Sequence, residues 1–207
     1  MLACIPVEVE VELGNGRLHD APHRLPEVGH EAHEREGLEV FVADAAEVGA
    51  EELRGRVPAD FEAAHELAGR IEAKRSTDTP VPCHNDLLNA NFIDDGARIR
   101  IVDWEYAGMG DPYFDLGNFS INHELTPDDD AALLAEYHGS VPPDRLARLV
   151  LMRVVSDFRE AMWGVLQQGI STLDVDFVAY AAEHFDRLLA NATTPAFERA
   201  LREAGGD

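Results

Sequence analysis

Lysine is almost missing from this sequence: Lys74 is the only one among 207 residues. Cysteine is nearly as scarce. Cys4 and Cys83 lie far apart with no metal-type Cys/His spacing around either, which argues against a disulfide framework and for a reducing cytoplasm. Long apolar runs are lacking too. The opening Met1-Leu2-Ala3-Cys4 has no basic flank and its apolar stretch stops at Glu8, so neither a signal peptide nor a membrane span is expected, and the protein should be soluble. Positive charge is the last scarcity: 17 Lys plus Arg stand against 40 Asp plus Glu, a formal charge of -23. Such a field repels nucleic acid and anionic membrane surfaces, so neither is an expected partner. It suits a cationic ligand, although a general solubility adaptation of an acidic proteome accounts for it as well. What remains is ordinary: 45% hydrophobic and 28% charged residues describe a chain that folds around a single core.

Residues 7–13 alternate Val-Glu-Val-Glu-Val-Glu-Leu, the pattern of a half-buried strand, and Gly14-Asn15-Gly16 then reads as a turn. From Arg17 to Gly37 no apolar period is sustained, and a loop is expected. His19, His23, His30 and His33 fall in it without Cys partners, so a solvated loop is favoured over a metal cluster. The pattern over residues 38–56 is mixed. Asp60 to Arg75 predicts an amphipathic helix with Phe61, Leu67 and Ile71 on its apolar side. Asp94-Asp95-Gly96 is a hairpin turn signal between Phe92-Ile93 and Ile99–Val102. Beyond Gly110 the chain turns helical. Thr126 with Asp129 makes a capping-box start to a helix through Tyr137, and helical patterns cover Pro142–Gln168, Asp174–Leu189 and Pro195–Ala204.

The chemistry concentrates in His84-Asn85-Asp86-Leu87-Leu88-Asn89-Ala90-Asn91, a polar loop ahead of the hairpin, and in Asp103, which ends the hairpin's second strand. Folding the hairpin brings Asp103 back beside Asn91. Phosphoryl transfer needs a group that orients the attacking hydroxyl and takes its proton, and oxygen ligands for Mg²⁺ bridging the phosphates. Asp86 supplies the first; Asn91 and Asp103 supply the second. Each piece alone is common, His84 reading as a core histidine and Asp86 as a turn residue. The spacing of the whole set is what matches the His-x-Asp-x-x-x-x-Asn catalytic loop of protein kinases, with Asp103-Trp104-Glu105 where those have Asp-Phe-Gly.

From about Val81 to Gly117 the sequence resembles the choline/ethanolamine kinase and aminoglycoside phosphotransferase superfamily. The resemblance rests on His84-Asn85-Asp86-Leu87, on Asp103-Trp104-Glu105-Tyr106-Ala107-Gly108 and on Phe114-Asp115-Leu116-Gly117-Asn118, and bacterial choline kinases are the nearest in type. It implies an α+β, protein-kinase-like fold whose C-terminal lobe is mostly α-helical with a short catalytic-loop hairpin. It also implies Mg²⁺ and ATP, and a small cationic alcohol such as choline or ethanolamine as acceptor. Asp86 would be catalytic, Asn91 and Asp103 metal ligands, and His84 and Asp115 supports of the loop. A quaternary ammonium donates no hydrogen bond and is best held by aromatic faces beside a carboxylate, so Glu105, Tyr106 and Trp163 are the substrate-binding candidates. Gln167 lies on the same helix, which is similar to the Trp-containing helix lining the choline pocket in that family, and Trp163 reads equally as core.

The same resemblance implies an N-terminal lobe with a phosphate-covering loop and a strand lysine. This sequence shows neither: Lys74 ends a helix and the Gly14–Gly16 turn has no third glycine. Residues 1–40 are therefore expected to be an atypical or remnant segment and residues 41–207 a kinase-like C-terminal lobe. Truncation, a shifted upstream frame or cooperation with another chain would each account for that. ATP affinity of this chain by itself is expected to suffer, since phosphate positioning supplies much of the rate. Two other readings stay open, an aminoglycoside-type antibiotic kinase and a noncatalytic kinase-like binding fragment.

Overall fold

Apolar residues recurring three and four positions apart make this molecule mainly helical. The computed structural model describes residues 58–74 and 79–205. The alternation at residues 7–13, the Gly14–Gly16 turn, the histidine-rich stretch, the 38–56 segment and Cys4 lie outside the described residues. Among the described residues helix α1 (Phe61–Glu72) comes first, followed by β1 (Val81–Cys83), the strands β2 (Phe92–Asp94) and β3 (Ile99–Ile101), and β4 (Gly108–Gly110). Five helices complete the order: α2 (Pro112–Asn122), α3 (Pro127–His138), α4 (Pro143–Ile170), α5 (Phe177–Ala192) and α6 (Pro195–Glu203).

Helix α4 is the axis. Its buried stripe, Leu151, Val154, Val155, Phe158, Ala161 and Val165, is flanked by α2, α5, α6, α3 and α1, and these surfaces join in one core with Ile71, Tyr113, Leu134, Phe185, Leu188 and Phe197. Burial on several sides explains why α4 is apolar over much of its circumference.

The helix starts follow their caps. Thr126 and Asp129 form the expected reciprocal box, the Asp129 amide donating to Thr126 Oγ1 (3.3 Å) and the Thr126 amide to Asp129 Oδ2 (3.1 Å). Asp176 accepts from the Ala179 amide at 2.9 Å, so α5 begins at Phe177 rather than at Asp174 as the sequence pattern predicts. Asp111 caps α2 through the Tyr113 amide (2.9 Å), with Pro112 at the first helical position.

The strands form two separate antiparallel pairs. β2 and β3 make the expected hairpin in the register Phe92↔Ile101, Ile93↔Arg100, Asp94↔Ile99. Asp95 closes its turn by accepting from the Ala97 (2.9 Å) and Arg98 (3.0 Å) amides, and Gly96 takes φ +83, a left-handed conformation that suits glycine. The second pair joins β1 to β4, Val81↔Gly110 through Cys83↔Gly108. Neither strand alternates, one having Pro82 at its centre and the other reading Gly-Met-Gly, so no sequence pattern announces them.

Candidate active site

The loop from His84 to Asn91 leaves β1 and is braced from two sides. Asp115, in the first turn of α2, accepts the His84 amide on Oδ2 (2.6 Å) and the Asn85 amide on Oδ1 (2.8 Å). Asn85 sits at φ +64, an uncommon conformation that asparagine tolerates better than most residues. Burial raises the Asp115 carboxyl above the usual range, and the two amide bonds offset this only in part. From the other side the Leu87 amide donates to Asn118 Oδ1, and Asn118 Nδ2 donates to Ser156 Oγ (2.9 Å), which ties loop, α2 and α4 together.

The His84 ring, 3% exposed, spans the loop. Its Nδ1 accepts the Asp86 amide (3.2 Å), while Nε2 lies 2.9 Å from the Val102 carbonyl. Those partners assign the proton to Nε2, which donates. Trp104 packs edge-on at 4.6 Å between ring centroids.

Asp86 and Asn91 come into contact through these supports, and Asp103 lies one residue past Val102, the backbone partner of Asn91. Asn91 ends a short 3-10 turn (Asn89–Asn91), and its Nδ2 donates to the Asp86 carbonyl (2.8 Å) and to Asp86 Oδ2 (3.1 Å). That fixes the carboxamide with Oδ1 as its acceptor face. The Val102 amide donates to the Asn91 carbonyl (3.0 Å), so Asp103, exposed and at φ +64, follows directly on the strand beside Asn91. Carboxylate plus carboxamide oxygen is a hard donor set of the kind Mg²⁺ takes. Among the described residues no three or more His, Cys, Asp or Glu side chains converge as a metal cage. A metal here would complete its shell with water and phosphate oxygens, as Mg²⁺ usually does.

A second cluster adjoins Asp86. Arg159 Nη1 donates to Asp86 Oδ1 (3.1 Å) and to Glu160 Oε1 (2.8 Å), and its guanidinium lies 5.0 Å over the Tyr106 ring. Tyr180 Oη donates to Glu160 Oε2 (2.7 Å), and burial, then the Glu160 charge and this contact, raise the tyrosine hydroxyl's pKa far above its ordinary value. Trp163 meets Phe177 and Tyr180 edge-on at 5.6 and 5.5 Å. Of the substrate-binding candidates, Tyr106 and Trp163 thus share one corner with Asp86, and Trp163 is wall and core edge at once. Glu105 is exposed beside it. Gln167 lines an open depression with Leu173 and Phe177 that contains none of the loop residues.

Sequence reasoning missed Arg159, Glu160 and Tyr180. The first two stand four and three positions before Trp163, on its face of α4, and helical spacing could have found them. Tyr180 arrives from α5 and carries no local signal. Lys74 lies just past α1 with its side chain against Gly205, in line with its expected place at the end of a helix.

The family model described as the phosphotransferase enzyme family matches residues 14–149. Human ethanolamine kinase 2 is 32% identical over 144 residues, covering 59% of this chain and 37% of that protein. A crystal structure of a choline/ethanolamine kinase family protein from Mesorhizobium loti superposes with a TM-score of 0.70 at 32% identity, over 82% of this chain and 58% of that one. Choline kinase LicA from Streptococcus pneumoniae shares the fold at a TM-score of 0.52 and 23% identity, over 68% of this chain and 53% of that one. The chain spans little more than a third of the length of the first curated relatives it matches, 37% in each. The helical lobe with small antiparallel sheets is that of the choline kinase-like, protein-kinase fold.

Proposed function

This chain belongs to the phosphotransferase enzyme family, and from that premise we propose that its site serves transfer of the ATP γ-phosphate to the hydroxyl of a small cationic alcohol of the choline or ethanolamine type. One observation carries the reading: a braced loop holds Asp86 against Asn91, with Asp103 on the adjoining strand and an aromatic, acidic corner one side chain away.

Asp86 has the role of base. Its side chain is 13% exposed and held by Asn91 and Arg159, so it reaches an acceptor hydroxyl from a fixed direction and takes its proton as the oxygen attacks phosphorus. His84 and Asp115 act through the loop backbone and touch no reacting atom. Asn91 Oδ1 and the Asp103 carboxylate would hold Mg²⁺, which when bound neutralises charge on the phosphates of ATP. Tyr106, Trp163 and Glu105 would receive the cationic end of the alcohol, the rings by their faces and Glu105 by its charge. Relatives named for ethanolamine and a structure named for choline/ethanolamine support an amino alcohol over other acceptors.

The test is phosphate transfer from Mg-ATP to choline, ethanolamine and an aminoglycoside, with wild type and Asp86→Asn in parallel. We expect transfer to an amino alcohol and a loss of at least about 100-fold in kcat for the variant, typical of removing a positioned base. Equal rates for the two proteins, or an aminoglycoside as the sole acceptor, would sink this reading.

A further inference from the structure

The corner assigned above to a substrate cation already contains one. Arg159, its side chain 13% exposed, is paired with Asp86 and with Glu160 and lies over the Tyr106 face that a substrate ammonium would use. Glu160 is 4% exposed, and both its oxygens accept hydrogen bonds, one from Arg159 and one from Tyr180.

We propose that Arg159 is a specificity-determining residue: a resident cation that the substrate's ammonium must displace from Tyr106 and Glu160, so that the site favours a protonated amine over a quaternary ammonium. The inference rests on the amino-alcohol reading of the preceding subsection. When Arg159 withdraws, Glu160 loses one of its two donors. A carboxylate this buried regains little from water, and leaving it under-bonded is costly. A protonated primary amine brings N–H groups that take the place of Arg159 Nη1. A trimethylammonium brings charge and attraction to the ring but no N–H, so it removes the arginine without replacing the hydrogen bond. A site that hydrogen-bonds its ligand discriminates strongly against an analogue lacking the donor.

Calorimetric titration at fixed ionic strength, without nucleotide, tests this with ethanolamine hydrochloride and choline chloride on wild type, Arg159→Met and Arg159→Lys. Wild type is expected to bind ethanolamine at least about tenfold tighter than choline, the scale of one unreplaced buried hydrogen bond. Arg159→Met, which leaves the ring and carboxylates without a competitor, should tighten both ligands by about tenfold. Arg159→Lys keeps the charge and should tighten them less. Choline binding to wild type as tightly as ethanolamine overturns the inference, and this arm needs no variant. Unchanged or weaker binding by an Arg159→Met protein that still melts cooperatively also overturns it, while leaving the amino-alcohol reading intact. If neither ethanolamine nor choline binds any of the three proteins, both readings fall.

Discussion

Asp115 illustrates how one side chain carries a site without touching its chemistry. Each carboxylate oxygen takes one of two successive amides, those of His84 and Asn85. Asp115→Asn keeps a single acceptor and sets an NH₂ against the other amide. The cost is expected to be about 1–3 kcal/mol, that of a buried donor left unpaired. It should appear as a lower denaturation midpoint together with faster hydrogen exchange at His84 and Asn85; unchanged exchange at both amides would refute the bracing role. Cys83, one residue upstream and 2% exposed, offers a pH counterpart. Burial first, then the charges of Asp115 and Asp111, push its thiol from 9.0 up to about 12. The folded state therefore holds this proton more tightly than the unfolded one. The associated stability is complete below about pH 9 and is lost as pH climbs toward 12. In a Cys4→Ser background, alkylation at about pH 8 should spare Cys83 in the native protein and consume it in urea, since the thiolate is the reactive form. Native-state labelling at the unfolded rate would contradict the burial.

At the scale of elements, the close approach of α2 to α4 depends on Gly117. A Cβ there would meet the Met152 carbonyl carbon at 2.7 Å and the Arg153 nitrogen at 2.8 Å, and backbone cannot swing aside as a flexible side chain can. Gly117→Ala should cost about 1–3 kcal/mol of stability by overpacking, and it should disturb Asp115 and Asn118, which flank it on α2. Gly69 in α1 has nothing within 4 Å of such a Cβ, so Gly69→Ala should instead raise stability by about 0.5–1 kcal/mol through helix propensity. Opposite shifts in melting temperature check the pair together. The same elements show what a sequence discloses. Helices with a periodic apolar face and a cap, such as α3 behind Thr126 and Asp129, were readable, as was the β2–β3 hairpin from its Asp-Asp-Gly turn. Local signals also marked Asp86, Asn91 and Asp103 as candidates, because their spacing is set within one loop and one hairpin. β1 and β4 were not legible: three residues each, around Pro82 and Met109, they exist through pairing with each other. Tyr180 was hidden for a related reason, as only the packing of α5 on α4 places its hydroxyl on Glu160.

The whole molecule carries a formal charge of -23, and this single property should act in opposite directions on stability and on ligand binding. Compacting so many like charges costs free energy that mobile ions relieve. Raising NaCl from about 0.01 M to about 1 M shortens the Debye length from about 30 Å to about 3 Å, and the melting temperature should rise over that range. Several ion pairs run against this trend. The exposed Arg70–Glu198 and Arg100–Asp95 pairs weaken with salt, but exposed pairs contribute only about 0–1 kcal/mol each. The partly buried contacts of Asp157 with Arg187 and of Asp130 with Arg153 are screened much less, so repulsion should set the sign. A small cationic alcohol of the proposed kind would be drawn by the same field, and its affinity should then fall over the same salt series. Differential scanning calorimetry and a binding titration on one set of buffers separate the two effects. Stability and affinity rising together would mean that the field does not steer the cation, leaving the local corner of Tyr106, Trp163 and Glu160 to account for binding unaided.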